Sequence, residues 1–108
     1  MKTRAMLAAL AAIPALPSDA GENEAVRFAI FRGYTAAIEA SCPEYFAYPS
    51  AVSGGHLSAR DRSAALADAP AWRVEMQRNV KALGCDAAAR DAMAFTDLKF
   101  EQVWEYKQ

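Results

Sequence analysis

This chain has one histidine, two cysteines, five glycines and no run of basic residues. Each shortage excludes a chemistry. A Cys–His dyad, a catalytic triad and a histidine-based zinc site all need more partners than His56 can find here. Cys42 and Cys85 lie too far apart for the CxxC spacing used by zinc clusters and thiol–disulfide catalysts. Gly54–Gly55 alone makes no phosphate-binding loop. No closely spaced acidic residues accompany a turn glycine, so a calcium loop is excluded. The arginines and lysines are scattered from Arg27 to Lys107, and nucleic acid binding needs a basic stripe. β-Branched residues are sparse and never alternate with polar ones, so no strand is predicted.

The carboxylates are dispersed as well. Glu39 and Glu44 bracket Cys42, and Asp91, Asp97, Glu101 and Glu105 come late. The last three follow at four-residue steps, which places them along one solvated helix edge. Acid–base hydrolysis needs two carboxylates in contrasting surroundings, and this pattern offers none. No catalytic residue, metal ligand or cofactor is assigned, and the chain reads as a non-enzyme.

What is present begins with an export signal. Lys2 and Arg4 give a positive start, Ala5 to Ala15 an apolar stretch, and Ser18 and Ala20 the small residues that a signal peptidase reads. The stretch is shorter than the roughly 20 apolar residues that cross a bilayer. The expected organisation is therefore a signal peptide over 1–20 and one small helical domain over 21–108, periplasmic or secreted, with no membrane span after cleavage. A domain of this size often needs a covalent staple. In an oxidising compartment Cys42 and Cys85 have one possible pairing, a disulfide. Its loop of about 43 residues would contribute roughly 4 kcal/mol by the chain-entropy estimate.

Four helices are predicted, in an irregular all-α array stapled at one end. The first runs over about 22–41, with Val26, Ile30, Gly33, Tyr34, Ala37 and Ser41 on one face. Gly33 there would let a second helix approach closely. A second, short helix starts at Ser58, with Asp61 as its capping partner. Pro70 suits the first position of a third helix, where Trp72, Met76, Val80 and Leu83 form a stripe and Gly84 the stop. Asp86 is placed to cap a last helix over about 87–106. That helix is apolar on two sides, with Phe95 and Leu98 opposite Phe100 and Trp104. A second apolar face of this kind suits a neighbour or a homo-oligomer.

The long connection over 43–57 holds Tyr45, Phe46 and Tyr48, with His56 near its end. Long loops in small domains are often functional. The rings serve either as a lid over a small core or as contacts for a protein partner. Three rings in four residues cannot all point inward if the backbone is extended. The resulting reading is an envelope protein that binds another protein, through Tyr45, Phe46, Tyr48 and His56. In size, export and single disulfide it is similar to small periplasmic helical proteins such as acid-stress chaperones and toxin-blocking immunity proteins, and an accessory subunit fits equally. Fold of this kind does not fix function. The alternative is a carrier that holds a small molecule or lipid in a cavity between helices.

Overall fold

The spine of the molecule is α1, Ser18–Ser41, in a computed structural model that describes residues 18–106, with side chains from Asn23 onward. The expected export signal falls on residues 1–17, which lie outside the described residues, and on the first turn of α1. Among the described residues, four α-helices and two short strands follow one another: α1, β1 (Tyr45–Ala47), a 3-10 turn (Pro49–Val52), α2 (Ala59–Leu83), α3 (Cys85–Asp91), a second 3-10 turn (Ala92–Phe95), α4 (Phe100–Val103) and β2 (Trp104–Tyr106). The architecture is predominantly helical, with one disulfide, as the helical patterning and the two cysteines predict. The sulfurs of Cys42 and Cys85 are bonded, with their Cα atoms 5.8 Å apart. The bond joins the end of α1 to the start of α3.

The expected face of α1 is corrected by its surroundings. Val26 is 50 % exposed and Ser41 is exposed, whereas Phe28, Phe31, Thr35 and Ile38 are buried with Tyr34 and Ala37. The helix packs on α2, on α3 and on the second 3-10 turn, so most of its circumference is covered. A helix covered from several directions has no single stripe for the sequence to display.

The second and third predicted helices are one. Ser58 caps α2 as expected, its hydroxyl accepting from the Asp61 N–H at 3.1 Å. The helix then continues through Pro70 to Leu83. Pro70 has no N–H to give to the carbonyl one turn back, a local cost that often ends a helix. Here the face turned to α1 runs on either side of it through Ala65, Ala69, Trp72, Met76 and Val80, while the proline ring is exposed. One long partner helix gains more from an unbroken face than the missing bond costs. At the crossing, a Cβ on Gly33 would stand 2.6 Å from Trp72 Cβ and 2.7 Å from the Ala69 carbonyl oxygen. Only glycine admits that approach. α2 stops at Gly84, whose φ of +86° suits glycine and whose N–H bonds the Val80 carbonyl.

The last predicted helix is replaced by four shorter pieces. Thr96 is extended, and its hydroxyl accepts from the Leu98 N–H at 3.2 Å. The chain restarts at Lys99, whose N–H is bonded by the Gln102 side chain. These local bonds replace helical ones where neither glycine nor proline signals a break. After α4 the chain extends, and Trp104–Tyr106 pairs antiparallel with Tyr45–Ala47, Phe46 opposite Glu105. The expectation of no strand is thereby corrected. So is the acidic edge: Asp97, Glu101 and Glu105 share no helix. The two-sided apolar helix proposed for a homo-oligomer does not form, because Phe95 and Leu98 flank the break. Nor does Asp86 cap a helix; Gly84 occupies that position, and the Asp86 carboxylate serves a tyrosine.

Candidate functional site

The ribbon is the most developed surface feature near the predicted contact residues. Successive side chains along its strand alternate in direction, so Tyr45 and Ala47 point inward while Phe46 and Tyr48 face out. Tyr45 is 6 % exposed, its ring edge-on to Trp104 at 5.5 Å and 5.0 Å from Tyr106. Its hydroxyl donates to Asp86 at 2.6 Å. Burial, and then that acceptor, push the Tyr45 hydroxyl up to about 12. Trp104 closes the layer, its indole N–H donating to the Ala89 carbonyl at 3.1 Å.

Phe46 and Tyr48 are 54 % and 38 % exposed. Three things hold their backbone. The disulfide anchors the chain three residues before Tyr45. The Ala47 N–H, on the edge of β1 away from β2, donates to the Glu39 carboxylate at 2.8 Å. The Tyr48 N–H donates to the Val103 carbonyl at 2.8 Å. A sheet edge left open invites indiscriminate pairing, and the Glu39 bond blocks one such position. The aromatic face is thus presented on a fixed backbone.

His56 is not part of this face. It is exposed and stands edge-on to Phe28 at 5.6 Å. It lines a separate open cleft of about 370 Å³, together with Phe28, Phe31, Phe95 and Leu98. The break after the second 3-10 turn brings Phe95 and Leu98 there. The cleft's charges are internally paired: Arg27 bonds Asp97 at 3.1 Å and Glu24 at 3.5 Å. Of the four predicted contact residues, the structure therefore groups Phe46 and Tyr48, buries Tyr45 beneath them, and sends His56 to the cleft.

The sequence reading missed two tyrosine–aspartate pairs. Tyr34, fully buried, donates to Asp91 at 2.8 Å, as Tyr45 does to Asp86. Burial, reinforced by Asp91, raises the Tyr34 pKa well above that of a free phenol. Together with the disulfide they fasten α3 at both ends. Their members are 57 and 41 residues apart in sequence, so no local pattern announces them. Among the described residues, no three His, Cys, Asp or Glu side chains are grouped to hold a metal ion, and no helix is long and apolar enough to cross a membrane. Comparison with known families, curated proteins and solved structures gives no match.

Proposed function

We propose that this is an exported protein of the cell envelope that acts by binding another protein, through the outer face of the ribbon. The observation that carries the reading is the pair Phe46 and Tyr48, more than a third exposed on a backbone that is already ordered. Aromatic side chains are the commonest anchors of protein interfaces, and an ordered backbone loses little entropy on binding. The Cys42–Cys85 disulfide supports an oxidising compartment. Toxin blocking, chaperone action and a subunit role all use such a contact.

The test is affinity capture from the native envelope with wild-type protein and with Phe46→Ala/Tyr48→Ala. Wild type should retain a discrete partner and the double variant should lose it, at an unchanged melting temperature. Equal capture by both would contradict the reading.

The carrier alternative has its own observation, the cleft between Phe28, Phe95 and His56, whose volume falls in the range of small-molecule sites. Native mass spectrometry of protein taken from its host distinguishes it. A co-purifying small molecule displaced by Phe95→Trp supports the carrier, and an empty protein argues against it.

A further inference from the structure

Where α1 crosses α2, a crease of about 220 Å³ opens beside the Gly33 contact. Arg32 and Ala36 of α1 line it, with Leu66, Ala69, Pro70 and Arg73 of α2. No acidic side chain is among its lining residues. The two arginines differ from most others in the structure. Arg27 and Arg78 are paired with carboxylates, and Arg62 donates to the Gly54 carbonyl. Among the described residues, neither Arg32 nor Arg73 makes an ion pair or donates a side-chain hydrogen bond. Two unpaired cations thus share one crease with apolar walls. Along α2, Leu66, Pro70 and Val74 follow at four-residue steps, so the apolar surface continues beyond the crease. Val74 is 69 % exposed, the most exposed large apolar side chain of the molecule's described part.

We propose that this crease binds a carboxylate carried on an aliphatic chain. The head group lies with Arg32 and Arg73, and the chain runs over Leu66 and Pro70 towards Val74. Charge complementarity selects the occupant. A guanidinium forms short, charge-assisted bonds to carboxylates, and two of them on one head group relieve the repulsion between like charges. The apolar stripe supplies the second requirement, since each methylene removed from water adds affinity. The volume is below the roughly 300–1,000 Å³ of sites that enclose a whole ligand, so the crease takes the head and first carbons and leaves the rest on the stripe. The site shares no residue with the ribbon face or with the cleft around His56, and it stands whether or not the ribbon binds a protein.

The probe is decanoate, below its micelle concentration, with decanol and decyltrimethylammonium as chain-matched controls. Binding is followed by amide shifts in NMR and by calorimetry. Decanoate should bind saturably, move the signals of Ala36, Leu66 and Val74, and weaken as salt rises. Arg32→Gln/Arg73→Gln should raise its Kd by roughly tenfold or more, the loss of one charge-assisted bond or more. Arg73 is exposed and Arg32 half-buried, and circular dichroism checks that the variant folds. The salt titration of wild type reads the charge requirement without any variant. Decanol binding as tightly as decanoate would overturn the proposal. So would an unchanged Kd in the double variant, shifts confined to the His56 cleft, or acetate competing as well as decanoate.

Discussion

At Gly33, helix propensity and packing make opposite demands. In an isolated helix, alanine would be favoured over this glycine by about 1 kcal/mol. In the folded molecule a Cβ there would overlap Trp72 and the α2 backbone at under 3 Å. Rigid backbone on the far side cannot yield cheaply, so the steric cost outweighs the propensity gain. Gly33→Ala should lower stability by at least about 1–3 kcal/mol, read as a fall in melting temperature of about 4–8 °C per kcal/mol. A melting temperature at or above wild type would show that α1 and α2 cross elsewhere. The tyrosines give a second test at this scale. Folding raises the Tyr45 pKa from 10.0 to about 12, so its neutral form is the one the fold stabilises. That contribution is whole below pH 10 and is lost as pH rises towards 12. Tyr34 shifts in the same direction. Melting temperature should therefore fall steeply across this window, together with the appearance of tyrosinate absorbance. Ionisation of all tyrosines near pH 10 without loss of structure would contradict both hydroxyl–carboxylate pairs.

At the scale of elements, the parts legible in the sequence are those set by local chemistry. Ser58 with Asp61 marks a helix start, Gly84 marks a stop, and both stand where their chemistry puts them. The Cys42–Cys85 pairing follows from there being two cysteines. Pro70 is a local signal overridden by the packing of α2 along α1. The ribbon lies beyond local reading: three-residue strands far apart in sequence gain their stability from pairing and from Tyr45 against Trp104. Val103, Trp104 and Tyr106 carry a β-favouring composition, but helical spacing that continues through Thr96 outweighs it. For the candidate site, alternation along an extended backbone foretells that the rings divide between inside and outside. It does not say that Tyr45 is the inner one, because Asp86 and Trp104, which hold it, come from other parts of the chain. Trp104→Ala tests the element directly. It removes a 3 %-exposed ring and its bond to Ala89, and should cost about 3–5 kcal/mol. Wild-type chemical stability in that variant would mean that β2 does not close over the core.

At the scale of the whole molecule, a small core, half of it alanine and the rest rings and a few aliphatic side chains, is held by one covalent closure. Cys42→Ala/Cys85→Ala opens a loop of 43 residues and should cost roughly 4 kcal/mol, a large part of the stability of so small a domain. Equal denaturation midpoints for oxidised and reduced protein would contradict that. The closure also fixes where β1 begins, and so where the aromatic face points. Photo-crosslinking in the native host tests that face most directly, because it traps a partner whatever its identity. A photoreactive phenylalanine in place of Phe46 or Tyr48 should give one discrete protein adduct. The same probe in place of Val74, which is more exposed than either ring and lies on the outer side of α2, should give none. Identical adducts from all three positions, or none from the ribbon, would contradict a protein contact at Phe46 and Tyr48.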